Sequence, residues 1–125
     1  EIPCIKVYEN DLTLAFMDIN PASRGHVLVI SKEEHADIHV IPGDTLAAVA
    51  LAAKTVASAI RDALKPDGIN IVQNNGKASG QEVFHYHVHL IPRWEGDGAL
   101  GLWRPKPGDK AELSSTAEAI RASIS

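Results

Sequence analysis

The chain has 125 residues, 45% of them hydrophobic and 22% charged, which is the size and balance of one globular domain. Its 12 basic and 16 acidic residues give a formal net charge of −4, which argues against a protein whose main partner is a nucleic acid. The single cysteine, Cys4, excludes an internal disulfide and favours a reducing compartment, so we expect a cytoplasmic protein. The sequence contains no apolar run long enough for a membrane span and no visible signal peptide, although it opens with Glu1 and a preceding segment is therefore allowed for.

The first half of the chain predicts three strands and a long helix. Two strands joined by a tight turn are expected over residues 5–8 and 12–17, where β-branched and apolar residues flank a polar break. The apolar run at 26–30 predicts a buried strand. In residues 45–64 apolar side chains recur every three or four positions, which predicts an amphipathic helix with Asp44 as its N-cap.

The second half predicts two more strands and a short helix. We expect strands at 69–72 and 85–91, the second closed by Pro92, with a polar glycine-bearing loop at 74–80 between them. A tail rich in Gly and Pro follows from 94 to 108, and Ser115 and Glu118 stand at capping-box spacing for a final helix. Strands, one long helix and strands again indicate an α+β domain with a largely antiparallel sheet.

Half of the six histidines fall within five positions, as His85, His87 and His89. Because side chains alternate between the two faces of a strand, these rings share one face while the apolar residues between them face the core. Neighbouring members of such a row are about 6–7 Å apart along the strand. A helix would scatter the same three rings around its axis, so the pattern favours a strand.

Three crowded imidazoles have a chemistry of their own. Imidazole can be a nucleophile, a proton donor or a proton acceptor near neutral pH. Crowding disfavours full protonation, so some rings should be neutral and nucleophilic while others donate hydrogen bonds, which suits attack on phosphorus. Two other interpretations stay open: a solvated surface cluster, and a zinc site with a third ligand from elsewhere. Since no cysteine or carboxylate stands at an evident ligand spacing, we expect no metal site.

The segment His-Tyr-His-Val-His-Leu-Ile at 85–91 resembles the signature of the histidine triad (HIT) family. Other segments resemble family elements in the family's order: a nucleoside-binding strand and turn at 16–21, a strand with a further histidine at 25–35, and the loop before the triad at 74–81. The resemblance runs from about residue 5 to residue 93. It implies a single HIT domain over 1–125 with a divergent tail at 94–125. The implied α+β, HIT-like fold is an antiparallel five-stranded sheet with one long helix and a short C-terminal helix.

The resemblance also implies a homodimeric nucleotide hydrolase or nucleotidyl transferase that acts at the α-phosphorus of purine nucleotides. His87 would be the nucleophile of a covalent nucleotidyl-histidine intermediate, and the backbone carbonyl of His85 would orient its ring. His89 and Gln81 would contact the non-bridging and leaving-group oxygens. His35 would support the triad from a neighbouring loop.

For nucleotide binding, the resemblance implies that Asp18 holds the ribose hydroxyls, that Phe16 and Ile19 line the base pocket, and that Asn74 reaches the phosphate or ribose. Plainer interpretations stay open for each. Asp18 could cap a turn, the two apolar residues could belong to the core, and Asn74 could be an ordinary loop residue. The histidines to which the resemblance gives no role are expected to be structural or solvated: His26 and His39.

Two departures from the family pattern leave the substrate open. In the phosphoramidase (Hint) branch a serine follows the loop glutamine, but here Glu82 does, and its carboxylate would repel phosphate or alter the preference for the leaving group. Leu-Ile-Pro-Arg at 90–93 is more similar to the dinucleoside polyphosphate hydrolase (Fhit) branch. A nucleotide-binding regulatory dimer without turnover is a third alternative. Some bacterial members bind zinc through an N-terminal Cys-x-x-Cys, which Cys4 alone cannot replace, so we expect no required cofactor.

Overall fold

The computed structural model describes residues 4–101 and 105–124. Its strands and α-helices are, in chain order, β1 (Lys6–Glu9), β2 (Thr13–Met17), β3 (Val27–Ser31), α1 (Gly43–Leu64), β4 (Gly68–Val72), β5 (His87–Arg93) and α2 (Lys110–Ser123). The strands form one antiparallel sheet in the order β1-β2-β3-β5-β4. This confirms the predicted α+β fold, with its five-stranded sheet, one long helix and a short C-terminal helix.

One face of the sheet is covered by α1, which contacts β2, β3 and β5. Strand alternation places Ala15, Val29 and Val88 in one buried cross-strand row on this face, and Val49 and Val56 of α1 belong to the same core. By length and composition alone α1 could cross a membrane, but its buried side chains belong to the core of this domain. The expectation of no membrane contact stays a prediction.

Both helices start differently from the prediction. Pro42 precedes α1 without a side-chain cap, so Asp44, the predicted N-cap, lies in the first turn, where a carboxylate faces the positive end of the helix dipole. The cap of α2 is Asp109, whose carboxylate accepts a hydrogen bond from the backbone N–H of Glu112 at 3.0 Å. Residues 115 and 118, the predicted capping box, therefore lie inside α2.

The last strand, β5, is shifted by two residues from its predicted range. It starts at His87 because the N–H of Tyr86 leaves the sheet to donate to the carbonyl of His35 at 2.7 Å. It continues through Pro92, which was predicted to end it. Pairing with β3 stops at Leu90, so Pro92 is paired only with β4. A strand tolerates proline at such a position because one of its sides has no neighbouring strand that needs an N–H donor.

The face away from α1 carries the histidines. His87 is paired with Ile30 of β3, while His89 is paired with Leu28, which in turn is paired with Phe16 of β2. Directly paired residues point to the same face, so each of these rows lies on the open side of the sheet. With neighbouring strands about 4.8 Å apart, the row from His89 to Phe16 is about 10 Å long.

Candidate active site

Two of the three predicted histidines form a ring pair on the open face. The ring centroids of His87 and His89 are 4.9 Å apart, with an interplanar angle of 66°. The ring of His85 lies apart from them, and its Nε2 is 2.7 Å from the carbonyl oxygen of Ser31. In its place the ring of His26 approaches His89, with centroids 5.2 Å apart. The predicted row of three alternating rings is therefore wrong at His85, because β5 begins only after it.

The orientation of His87 is set by the backbone just before it. Its Nδ1 lies 2.7 Å from the carbonyl oxygen of His85, the contact that the resemblance implied. Because a carbonyl oxygen can only accept, Nδ1 carries the hydrogen. In the neutral ring the lone pair is then on Nε2, the nitrogen that is free to attack an electrophile.

His26 determines the tautomer of His89. The backbone N–H of Ala22 donates to Nδ1 of His26 at 3.0 Å, so the neutral His26 ring carries its hydrogen on Nε2. That nitrogen lies 3.0 Å from Nδ1 of His89 and 3.5 Å from Oδ2 of Asp18. His89 therefore accepts at Nδ1 and carries its own hydrogen on Nε2, where it can donate to an oxygen of a substrate.

Burial keeps both of these rings neutral. Desolvation lowers the pKa of His26 below its usual value, and the carboxylate of Asp18 opposes this only in part. The pKa of His89 is lowered first by desolvation and then by its neighbours His87 and His26. Both rings are thus hydrogen-bonding groups near pH 7 rather than cations.

His26 is the functional residue that the sequence analysis missed. It is 4% exposed and bridges Asp18 and His89, although it was expected to be structural or solvated. The available signal was its place as the first residue of an otherwise apolar buried strand. A polar side chain there must find hydrogen-bond partners.

Asp18, His26 and His89 also form a possible metal-binding group, since one ligand atom from each lies within 4.8 Å of the others. The hydrogen bonds argue against metal binding. To ligate through Nε2, the ring of His26 would have to move its hydrogen to Nδ1, which already faces the N–H of Ala22. The arrangement suits a hydrogen-bonded relay, and the expectation of no metal site stays a prediction.

The predicted nucleoside-binding residues lie beside this relay. Oδ1 of Asp18 accepts from the N–H of Asn20 at 2.8 Å, so the residue does cap a turn, while its other oxygen faces His26. Phe16 is half-buried on the open face. Ile19 is 70% exposed, which excludes the core interpretation for that residue.

Asn74 lies in the connection between β4 and β5. Together with His26 and His89 it lines a cleft of about 480 Å³. A side chain at position 80 would start 3.8 Å from the amide nitrogen of Asn74, and Gly80 has a φ of +105°, which favours glycine. Since 3.8 Å is an ordinary contact distance, the backbone conformation, rather than crowding at Asn74, is what favours glycine here.

Two of the predicted site residues do not face the cleft. Gln81 is 1% exposed, and backbone groups bind both its amide oxygen and its amide nitrogen, so no amide donor is left for the predicted contact with phosphate oxygens. The ring of His35 pairs with Glu33 at 3.1 Å, and its link to the triad is the backbone bond to Tyr86. The carboxylate of Glu82 is exposed.

The sequence and the fold are both similar to those of known proteins. The HIT domain family matches residues 1–96. The chain is 40% identical over 122 residues to Protein hit of Bacillus subtilis (93% of this chain, 84% of that protein). It is 38% identical over 125 residues to adenosine 5'-monophosphoramidase hnt1 of Schizosaccharomyces pombe (99% and 91%). The crystal structure of SMU.412c from Streptococcus mutans UA159 superposes with a TM-score of 0.94 at 39% identity, covering 99% of this chain and 79% of that one. The chain belongs to the HIT domain family.

Proposed function

We propose that the protein hydrolyses a purine nucleoside phosphoramidate, or a related nucleotide ester, at the α-phosphorus through a covalent intermediate on His87. The observation that carries this proposal is the 2.7 Å contact between Nδ1 of His87 and the carbonyl of His85, because it leaves the Nε2 lone pair free to attack. The name of the S. pombe relative, a monophosphoramidase, supports the same reaction.

The reaction has two displacements. In the first, Nε2 of His87 bonds to phosphorus, and the leaving group departs with its bonding electrons and a proton from solvent. The ring becomes a cation, which the carbonyl of His85 stabilises through the Nδ1 hydrogen. The Nε2 hydrogen of His89 donates to a non-bridging oxygen as negative charge develops there. In the second, water bonds to phosphorus and releases its proton to solvent, the N–P bond breaks, and the nucleoside monophosphate leaves neutral His87 behind.

The cleft beside His89 favours a leaving group without much negative charge. Among the described residues that line it, Arg93 is the one cation, and its guanidinium already donates to Asp97 through Nε and Nη2 and to Asn70 through Nη1. A polyphosphate leaving group carries negative charge, and the one cation among these residues is already paired with Asp97 and cannot offset that charge. An amine leaving group has no negative charge to offset. The remaining walls are mostly apolar: Ala22, Val72, Ile91 and Leu100. These features favour a phosphoramidate over a dinucleoside polyphosphate.

The nucleoside is proposed to lie across the open face on the other side of His26. The row from His89 through Leu28 to Phe16 offers an apolar surface about two strands wide for a purine base. Asp18 stands beside this row, and its Oδ2 is the oxygen proposed to accept from a ribose hydroxyl.

A substrate panel with matched variants tests the proposal. Adenosine phosphoramidate, an adenylyl ester and a dinucleoside polyphosphate are each incubated with wild type, His87→Ala and His39→Ala, the last an exposed histidine outside the site. Wild type and His39→Ala should turn over the phosphoramidate. His87→Ala should lose on the order of 10⁶-fold in kcat, as when a nucleophile is removed, while AMP binding changes little. An alkaline quench should trap the adenylylated chain, since N–P bonds are labile in acid.

The other outcomes identify the competing functions. Faster cleavage of the polyphosphate would make it the substrate, and AMP binding without turnover on any compound would indicate a regulatory dimer. A His87→Ala variant with near-wild-type kcat would rule out the covalent route. The reaction is also proposed to need no metal, so activity should survive chelation; a loss that added zinc restores would contradict this.

We propose that the protein works as a homodimer that pairs at β4. This strand is an edge of the sheet, and its Ile71 side chain is 59% exposed. A groove of about 460 Å³ with mostly apolar walls runs between β4 and α1, and an unpaired edge beside it suits a second copy. Sedimentation should show a dimer for wild type and a monomer for Ile71→Lys. The control is Leu12→Lys, at a position 60% exposed near the other edge, which should stay dimeric. A monomeric wild type would contradict the proposal.

A further inference from the structure

Gln81 is a buried polar side chain that links three segments of the backbone. Its Oε1 accepts from the N–H of Gly76 at 2.7 Å, and its Nε2 donates to the carbonyls of Ala36 at 2.7 Å and Val83 at 3.2 Å. Both amide hydrogens and the oxygen are therefore in use, and the residue is 1% exposed. Such an amide holds backbone in place and has no donor left for a substrate.

The contact with Val83 affects the nucleophile. Residues 83–86 lead into β5 without pairing in the sheet, and this segment contains the carbonyl of His85 that orients His87. Three hydrogen bonds anchor it. One is the local bond from the Gln81 amide to the carbonyl of Val83, and two are tertiary: the His85 ring to the carbonyl of Ser31, and the N–H of Tyr86 to the carbonyl of His35. Gln81 holds the end of the segment that lies farthest from the strand.

The same amide also closes the loop that carries Asn74. Gly76 donates its N–H to the side chain of Gln81, and the N–H of Gln81 donates to the carbonyl of Gly76 at 3.2 Å. Gly76 adopts a φ of +86°, a conformation that favours glycine, where this loop turns back. Through Ala36, the amide ties both the loop and the 83–86 segment to the chain that follows β3.

We propose that Gln81 is a positioning residue, which fixes the carbonyl of His85 and the loop of Asn74 relative to each other and so acts on catalysis through His87. The inference rests on the proposed function. It differs from the contact with leaving-group oxygens that the family resemblance implied, because Gln81 has no free polar atom facing the cleft.

Steady-state kinetics on adenosine phosphoramidate test this role with two variants and a control. Gln81→Met keeps the length of the side chain but removes all three hydrogen bonds. Gln81→Glu keeps the acceptor for Gly76 and removes the donation to Ala36 and Val83. The control is Thr13→Val, which loses a buried side-chain hydrogen bond to Asn10 in the β1–β2 turn. All are measured well below their melting temperatures.

Both Gln81 variants should lose about 100-fold in kcat, the scale expected when a catalytic group shifts by about 1 Å, with KM changed by less than about threefold. Thr13→Val should keep the wild-type kcat. A Gln81→Glu or Gln81→Met variant with kcat within about threefold of wild type would overturn the proposal.

Nitrogen NMR of the rings gives a readout that needs no substrate. In wild type the His87 ring should be in the Nδ1–H form, and Gln81→Met should give a mixture of tautomers because the carbonyl of His85 is no longer held. A ring spectrum identical to that of wild type would also overturn the proposal. If wild type itself turns over no substrate, the proposed function fails while the spectrum still tests the position of the carbonyl.

Discussion

The open face of the sheet has two wings that are built in different ways. The imidazole wing, made of His26, His87 and His89, has hydrogen bonds of 2.7–3.0 Å that fix both nitrogens of His26 and the Nδ1 atoms of the other two rings. Two of these hydrogen bonds are made with backbone groups, the N–H of Ala22 and the carbonyl of His85. Its chemistry therefore depends on single atoms in set positions, and losing one should be costly.

The proposed nucleoside wing, made of Phe16, Asp18 and Ile19, is mainly an apolar surface, in which Asp18 is the polar side chain. Phe16 is half-buried, the Asp18 side chain is 17% exposed, and Ile19 is 70% exposed. Binding energy there is spread over contacts, so each residue should contribute in proportion to what it covers. From this difference we expect changes in the imidazole wing to act mainly on kcat and changes in the nucleoside wing to act mainly on KM.

The largest expected effect after loss of the nucleophile comes from His89→Ala. Removing a donor to the developing phosphate charge typically costs about 10²–10³-fold in kcat, and KM should change by less than about threefold. Kinetics on adenosine phosphoramidate check this, with His39→Ala as the control. A variant that keeps kcat and raises KM would place His89 with the nucleoside wing and break the comparison.

The next effect is expected from Asp18→Asn. This change keeps an oxygen to cap the turn at Asn20 but removes the charge proposed to face the ribose. Because a charged hydrogen bond contributes about 1.5–3 kcal/mol, KM for a ribonucleoside substrate should rise at least about tenfold. Since Oδ2 of Asp18 also lies 3.5 Å from Nε2 of His26, kcat should fall as well, but by less than in His89→Ala. For a substrate without ribose hydroxyls, KM should be about the same in the variant and in wild type. Asp11→Asn, an exposed carboxylate in the β1–β2 turn, serves as the control.

Acid should lower the free energy of unfolding of the protein through the buried rings of the imidazole wing, and this effect should be smaller than those of the substitutions above. Burial lowers the pKa values of His26 and His89 below 6.5, so the unfolded chain binds protons more readily as pH falls through that value. Their contribution to the free energy of unfolding is complete above pH 6.5 and declines below it. The pKa of Glu9 is lowered to about 2 by hydrogen bonds from Lys32 and Lys6, so its contribution declines only below its ordinary value of 4.5.

Thermal unfolding between pH 7.5 and 5.5 reports on the two buried rings and not on Glu9, because this range lies above the ordinary pKa of that carboxylate. The melting temperature should fall by a few degrees over this range, and less in His26→Gln, which removes one titrating ring. His39→Gln should follow wild type because its ring is exposed. If the melting temperature fell equally with pH in His26→Gln and in wild type, His26 would not be a group responsible for the acid destabilisation.

Much of the fold could be predicted because its signals are local. The alternation of β5 placed His87 and His89 on one face, and the helical period of residues 45–64 matched α1 to within two residues. The start of α2 could not be fixed in the same way. Both Asp109 and Ser115 are capping residue types, and the choice between them depends on the tail that precedes the helix.

The site was harder to predict because its decisive contacts join distant residues. His26 and His89 are 63 positions apart, and no pattern near either residue signals their hydrogen bond. His85 left the predicted row because its ring bonds to Ser31, 54 positions away. Gln81 follows the polar loop at 74–80 in the sequence, but its burial depends on Ala36, which no local motif indicates.

Ile19 should give the smallest effect, and it tests the nucleoside wing most directly. Its neighbour Asp18 turns toward His26, while the Ile19 side chain is 70% exposed and gives a bound base little buried surface. Covering part of an isoleucine contributes well under the 1.5–3 kcal/mol of full burial, so Ile19→Ala should raise KM by about threefold or less and leave kcat unchanged. The matched change Phe16→Leu, on the half-buried row, should have the larger effect on KM. If Ile19→Ala instead raised KM more than Phe16→Leu did, the base would lie over the turn rather than over the row of Leu28 and Phe16.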